Sequence, residues 1–488
     1  MVEVGAPGVV ETVDVDPVNK KGHRALYKKR VKIHPKRARG VFRKFKWLIM
    51  AVTLTIYYVT PWLRWDRGPN APDQAVLIDM PARRFYFFFI EIWPQEVFFI
   101  TGLLVLSAMG LFLTAATVGR AWCGYSCPQT VWTDLFIAVE RFWEGDRNAR
   151  LRLDKARISL SKIGKKAGKH VSWLLIAVAT GGAWVFYFAD APTLAVRLAT
   201  LDAPFVAYLW VAIFAAFTYV FGGLMREQVC TYMCPWPRIQ AALADEDTLI
   251  VNYNADRGEP RGSHKSGQGW EDRGDCVDCN QCVAVCPMGI DIRDGLQIEC
   301  ISCALCIDAC NEVMTKVDRP PNLISYSTLN MSDEAARGEK PTVRLLRGRT
   351  FLYSGMIIIV AAIMVYALLS RADLGVTAEH QRSPLFTVLS DGGIRNAYTL
   401  KITNKLHADV RVFVLSVDGL PGADVSRVGG ESGLPVFRVG PDTIQSYRIF
   451  VTMRGDDIPE SRDITFTIAD RETGQTTTTE STYKGSKR

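Results

Sequence analysis

Eight cysteines packed into one short stretch constrain this chain more than any other feature. Cys276, Cys279, Cys282 and Cys286, closed by Pro287, are followed at the same spacing by Cys300, Cys303, Cys306 and Cys310. Two-residue steps place three thiolates on the corners of a cubane, and the fourth, after a longer step, reaches across to the neighbouring group. The spacing therefore predicts two [4Fe–4S] clusters with crossed ligation. Cys276, Cys279, Cys282 and Cys310 would hold one, and Cys300, Cys303, Cys306 and Cys286 the other. Paired zinc sites also use Cys-x2-Cys repeats, but two matched copies of four, the first ending in proline, favour clusters. Asn311 stands where the second copy's proline would be, which alters a turn and leaves the ligand count intact. Two clusters held this close suit the movement of single electrons.

All 12 cysteines of the 488 residues lie between Cys123 and Cys310. A secreted disulfide framework would spread them through its loops, so metal or redox use is expected. Five uncharged apolar runs reach spanning length: Trp47–Leu63, Val97–Val118, Val171–Phe188, Phe205–Leu224 and Phe351–Ser370. The net charge of +8 is concentrated beside these runs. It points to a membrane surface with its lipid, not to nucleic acid. Residues 1–46 carry 13 Lys and Arg and residues 119–170 carry 11, against four in 64–96 and Arg197 alone in 189–204. Basic segments stay inside, so the amino terminus and the cysteine-rich segment are expected in the cytoplasm, and the carboxy-terminal domain outside. The 46-residue lead is too long for a cleaved signal peptide. The aromatic run Arg83–Trp93 holds Glu91 and stops at Pro94, so it reads as an interfacial segment and not a sixth span.

The expected fold is a multi-pass α-helical membrane protein of about five transmembrane helices, with a dicluster ferredoxin domain and a carboxy-terminal β-sandwich. Its parts are a basic segment, 1–46, and a membrane domain, 47–235, of two helical hairpins. A cytoplasmic segment, 236–349, holds the ferredoxin domain at about 270–320, and a fifth span, 350–371, leads to the outer domain, 372–488. In that domain Tyr398, Leu400 and Ile402 alternate with polar residues. So do Tyr447, Ile449 and Val451, then Ile464, Phe466 and Ile468, while Val410, Val412 and Val414 form another such row. With turns at Asp418-Gly419 and Gly429-Gly430 this predicts an antiparallel sandwich that binds a partner. His23, His34, His380 and His407 stand apart from cysteine or carboxylate clusters, so a metal role is not expected of them.

The remaining cysteines form a repeat. Cys123-x3-Cys127-Pro128 follows the second apolar run and Cys230-x3-Cys234-Pro235 the fourth, with Arg120 and Arg226 just ahead of them. Proline disfavours helix in the residue before it and suits the first turn of a helix after it. An amphipathic helix is expected from Pro128, with Val131, Trp132, Leu135, Phe136, Val139, Phe142 and Trp143 on one face. A cysteine at a helix start beside an arginine should have a depressed pKa. Thiolates at a membrane edge suit Cu(I), with Met225 and Met233 as nearby thioethers. A redox disulfide, or simple packing, are the alternatives.

The runs AWCGYSCPQTVWTDLF, EQVCTYMCPWPRIQAAL, DTLIVNYNADRGEPRG and GDCVDCNQCVAVCPMGIDIRDGLQIECISCALCIDAC resemble the cytochrome c oxidase accessory protein family CcoG, also called FixG or RdxA. Gly40-Val41-Phe42-Arg43, the run IDMPARRFYFFFIEIWPQE and the stretch Arg395-Asn396-Ala397-Tyr398 share the resemblance. It implies an immunoglobulin-like outer domain and a role in assembling cbb3-type cytochrome c oxidase as a cupric reductase that makes Cu(I). It also implies the assembly machinery, a copper transporter or chaperone, and an unnamed electron donor as partners. On that resemblance Cys123, Cys127, Cys230 and Cys234 are candidates for holding copper as substrate or bound ion. Two other readings compete: a NapH- or NosR-like relay from quinol towards a periplasmic reductase, and a scaffold without catalysis. The NosR type usually has a large flavin-bearing outer domain ahead of its spans, and the NapH type generally lacks an outer sandwich.

Overall fold

The computed structural model describes residues 10–18, 31–264, 269–406, 410–429, 435–455 and 458–486. His23, His407 and Gly430 lie outside them. The chain forms two compact units, residues 1–63 with 76–364, and residues 64–75 with 365–488.

In the first unit, α1 (Val41–Val59) is followed by a three-stranded antiparallel sheet of β1 (Val76–Asp79), β2 (Arg84–Phe87) and β3 (Ile90–Ile92). The aromatic run is thus a hairpin. Its unbroken Phe and Tyr hide the period of two, and the buried pair Arg84–Glu91, 3.1 Å apart, lies across the strands with Arg84 over the Trp93 ring. α2 (Phe98–Val118) is apolar on every side, which is how a helix facing lipid reads. Then come α3 (Ala121–Tyr125), α4 (Pro128–Glu144), α5 (Arg147–Lys155), α6 (Leu160–Val185), α7 (Ala191–Ala199) and α8 (Phe205–Phe217), which continues in wider π-type turns to Met225. At Gly181 a Cβ would stand 2.5 Å from the Val211 carbonyl oxygen, so glycine lets α6 and α8 touch backbone to backbone.

Further on lie α9 (Trp236–Leu243), β4 (Ile250–Tyr253), α10 (Ala255–Gly258), α11 (Gln281–Val285), α12 (Leu305–Lys316), β5 (Ile324–Ser327), α13 (Leu329–Ala336) and α14 (Gly348–Leu369). Three helices among the described residues are long and apolar enough to cross a membrane: Pro94–Val118, Phe205–Met225 and Gly348–Leu369. The expected runs Trp47–Leu63 and Val171–Phe188 are largely helical, but each lies in a helix that begins in charge. Arg43, Lys44 and Lys46 open α1, and Lys162, Lys165, Lys166 and Lys169 open α6. The described parts of the basic amino-terminal segment dock on the cysteine module. Val13 N–H donates to Cys279 O at 3.0 Å, and Lys36 N–H to Ala284 O at 2.7 Å. His34 is buried 3.2 Å from Asp154, and burial, with Lys32 and Arg150 nearby, pushes it down to about 4. It is a neutral packing residue at pH 7.

The second unit is the sandwich. One sheet orders β10 (Asp424–Arg427), β12 (Thr443–Met453), β8 (Ile394–Asn404) and β6 (Leu374–His380), with β7 (Thr387–Val388) also on β8. The other orders β11 (Val436–Val439), β9 (Arg411–Asp418), β13 (Ser461–Asp470) and β14 (Thr476–Lys484). The rows on β8, β12 and β13 fill the core as expected, apart from a half-buried Tyr447. The row Val410, Val412, Val414 does not: Phe413 and Leu415 are the buried residues of β9, and Val410 is 55% exposed. β9 is apolar on both faces, so alternation alone did not tell which one turns inward. Asn396, wholly buried, joins the sheets: its side chain donates to Lys484 O at 2.8 Å and accepts from Lys484 N–H at 2.9 Å. His380 bonds the same Asn396 oxygen at 2.8 Å and lies against Tyr398.

Candidate redox site

The two cysteine loops share one backbone. Asp278 and Asn280 flank Cys279 with φ of 50° and 55°, and Ser302 and Ala304 flank Cys303 with φ of 53° and 59°. Such left-handed non-glycine residues are uncommon and costly, especially at an alanine. Alternating them turns successive N–H groups towards the sulfurs, and Ser302 N–H reaches Cys300 Sγ at 3.5 Å. Asn280 and Ala304 then serve as the amino-terminal caps of α11 and α12, which carry Cys282 and Cys306 in their first turns. Cys286 leaves α11 in extended conformation ahead of Pro287, whereas Cys310 stays inside α12, because Asn311 lets the helix run on to Lys316.

The longer steps carry the fourth cysteine of each copy to the neighbourhood of the other copy's loop. Cys286 lines a small apolar cavity together with Cys300, Cys303 and Cys306, and Cys282 of the first copy lines it too. Burial, and after it the neighbouring Cys279 and Cys276, pushes the Cys310 thiol up to about 12. Burial, with Cys303 next, does the same for Cys286. Buried thiols without countercharge are poor thiolates. The donor set suits [4Fe–4S] groups, whose iron supplies that charge in an apolar shell of Val283, Ile290 and Ile307. No three His, Cys, Asp or Glu side chains among the described residues converge on a single ion.

The outer cysteines are a structural repeat. Gly119 (φ 58°, ψ −119°) and Arg226 (φ 48°, ψ −112°) each precede the first cysteine by four residues. The N–H of Cys127 bonds Trp122 O at 2.9 Å and that of Cys234 bonds Val229 O at 2.8 Å. Cys127 and Cys234 are both extended before their prolines, as X-Pro demands. The repeat therefore pairs Arg226 with Gly119, not with Arg120, and the two arginines do different work. Arg120 ties the edge to the second cysteine loop, donating to Ile298 O, to Cys300 O at 3.1 Å and to Pro237 O at 2.7 Å. Arg226 turns away to Glu140 at 2.9 Å, in a buried network with Arg150. The expected thiol activation is overturned for this reason. Burial pushes Cys123 up to about 11, against a weaker pull from Arg120, and pushes Cys230 up to about 12. Cys127 is also raised by burial.

The edge touches the second loop directly. Cys123 and Cys230 pack with Cys286, Cys300 and Cys303 in one apolar cluster, while Cys234 and Met233 face outward. Gly124 makes this possible: a Cβ there would stand 2.6 Å from Ile301 O and 3.0 Å from Cys303 Cα. Beside it Tyr125 OH meets Tyr326 OH at 3.3 Å, and Tyr326 donates to Ser302 O at 2.6 Å. Neither Gly124 nor the tyrosine pair stood out in the sequence, although a glycine inside Cys-x3-Cys is the one signal that pointed to a close approach.

Three comparisons bear on this geometry. A family model described as "4Fe-4S dicluster domain" matches residues 225–329, one described as "4Fe-4S binding domain" matches 100–144, and the "IG-like fold at C-terminal of FixG" matches 364–486. The "Nitrogen fixation protein FixG" of Rhizobium meliloti (strain 1021) is 54% identical over 476 residues, covering 91% of both chains. The chain belongs to the FixG/RdxA/RdxB family. Protein RdxB of Cereibacter sphaeroides is 49% identical over 92% of this chain and 95% of that relative. Protein RdxA of the same organism is 52% identical over 84% and 87%. A crystal structure of a FixG-related protein from Vibrio parahaemolyticus is 22% identical, covers 23% of this chain and 96% of that one, and has a TM-score of 0.20. As a FixG-family protein the chain has 4Fe–4S binding domains, membrane-length helices and an IG-like carboxy-terminal domain.

Proposed function

We propose that this FixG-family chain is an iron–sulfur oxidoreductase of the bacterial inner membrane that reduces Cu(II) to Cu(I) for assembly of cbb3-type cytochrome c oxidase. Its ligand sets are Cys276, Cys279, Cys282 and Cys310 for one cluster, and Cys300, Cys303, Cys306 and Cys286 for the other. When bound, these clusters supply electrons singly at low potential, so each Cu(II) reduced oxidises one reduced cluster. Cys123, Cys127, Cys230 and Cys234 form the edge that meets copper, since thiolate favours Cu(I) over Cu(II). The observation that carries the reading is the contact of Gly124 with the Cys303 loop, which sets that edge directly against the second ligand group. Raised pKa values keep the Cys123, Cys127 and Cys230 thiols protonated until a soft cation displaces the proton.

In this reading α1 and the apolar part of α6 cross the bilayer with the three long helices, giving five spans. The amino terminus and cluster module face the cytoplasm and the sandwich faces the periplasm, where it meets the oxidase assembly machinery or a copper transporter or chaperone. Anaerobic mixing of dithionite-reduced, purified full-length protein with Cu(II) tests the proposal. Cluster re-oxidation matched by Cu(I) formation, and lost in Cys123→Ala or Cys230→Ala, is the expected result. No reaction with intact clusters by EPR would sink it, leaving a quinol-fed relay or a scaffold.

A further inference from the structure

Where the amino-terminal segment meets α4, the wall carries more positive charge than it neutralises. Arg37, Arg39, Arg43, Lys44 and Arg141 line an open cavity of about 780 Å³ whose lining holds one carboxylate, Asp146. A second carboxylate, Asp134, sits 2.9 Å from the Arg43 guanidinium. It is already shared, because Lys46, Arg43 and Arg141 together outweigh its burial and hold it below its usual value. The Arg43 side chain is only 9% exposed, yet its Nη2 has no hydrogen-bond partner, while Arg141 Nε stands 3.7 Å from Asp146 without hydrogen-bonding it. A buried guanidinium N–H without an acceptor is rare and marks a place for an anion. Burial, then repulsion from Arg43 and Arg150, pushes Arg141 down to about 10, so it remains cationic at neutral pH and the excess charge persists.

The position selects the anion. The cavity opens beside the charged first turns of α1, where the apolar run starting at Trp47 begins, and its rim carries Trp47 and Phe142, 45% and 81% exposed. A tryptophan at this level beside clustered Lys and Arg is the pattern of a headgroup site. We infer that this cavity binds the phosphate of an anionic phospholipid of the phosphatidylglycerol class, with Trp47 and Phe142 against its acyl chains. The site is tied to the cluster module, since the backbone N–H groups of Phe42 and Arg43 bond Asp308 of α12 at 3.2 and 2.7 Å. A lipid seated here clamps α12, α1 and α4 together, whatever the electron acceptor is.

The test is binding of fluorescent short-chain phosphatidylglycerol to the detergent-solubilised full-length protein, with phosphatidylcholine and inorganic phosphate as controls. Phosphatidylglycerol should bind in preference to phosphatidylcholine. Arg39→Gln with Lys44→Gln, both exposed, should weaken binding roughly fivefold for each charge removed while the iron–sulfur absorbance stays unchanged. Phe142→Ser, on the rim, should weaken it without altering charge. Equal binding of the two lipids, or unchanged binding in these variants, overturns the site. Complete displacement by inorganic phosphate overturns the lipid assignment in favour of a free anion.

Discussion

Replacing Gly124 by alanine probes the contact on which the redox reading rests. The new Cβ would stand 2.6 Å from Ile301 O and 3.0 Å from both Cys303 N and Cα, all backbone atoms with no rotamer to yield. Ordinary contact begins near 3.4 Å, so the Cys123–Cys127 loop must retreat by about 0.8 Å or the Cys300–Cys306 loop must shift. Overpacking of this kind costs about 1–3 kcal/mol. The retreat also stretches the bonds from Arg120 to Cys300 O and between Tyr125 and Tyr326. Iron content should hold, the thermal midpoint should fall, and re-oxidation of reduced clusters by Cu(II) in stopped flow should slow. Gly182→Ala is the internal control: nothing lies within 4 Å of that Cβ, and alanine in a helix is favoured over glycine by about 0.5–1 kcal/mol. If Gly124→Ala matched Gly182→Ala in both stability and rate, the direct contact would not be what joins edge to cluster.

Three further outcomes are expected. Cys310→Ser and Cys276→Ser should abolish the same EPR signal, Cys286→Ser the other, with iron falling from about eight atoms towards about four in each case; loss of both signals with Cys310→Ser but not with Cys276→Ser contradicts crossed ligation. Arg226, then Arg150 and Lys169, outweigh the burial of Glu140 and hold it at about 2, so its ionisation stabilises the fold above its ordinary value of 4.5. That contribution is lost as pH falls from 4.5 to about 2; Glu140→Gln should flatten acid denaturation there and cost about 3–5 kcal/mol at neutral pH. Asn396→Ala leaves the partly buried Lys484 N–H and carbonyl without their side-chain partner, and a loss of about 1–3 kcal/mol should show in chemical denaturation of the sandwich.

Local signals carried far in this sequence. The cysteine spacing fixes turns of two residues, and Pro128 and Pro235 enforce the extended Cys127 and Cys234 whatever the rest of the chain does. The rows Tyr398 to Ile402 and Ile464 to Ile468 were legible because polar residues separate them. Where both faces are apolar the pattern is silent, as on β9, where Phe413 and not Val412 turns inward. The aromatic hairpin at β2 and β3 was hidden for the same reason. Partnerships distant in sequence were harder still. Arg226 reads as an activator of its neighbouring cysteine until the fold hands it to Glu140, 86 positions away, and burial then outweighs Arg120 at Cys123.

The Asp308 carboxylate completes the amino end of α1 from 265 positions downstream of Arg43. At about 5–20 residues per second, the ribosome makes that acceptor on the order of 10 to 50 seconds after the helix it caps. Throughout that interval the first apolar helix has its leading N–H groups and its buried Arg43 and Lys46 without their final surroundings. The amino end of that helix is therefore capped late in synthesis, only once the helix carrying Cys306 and Cys310 has been made.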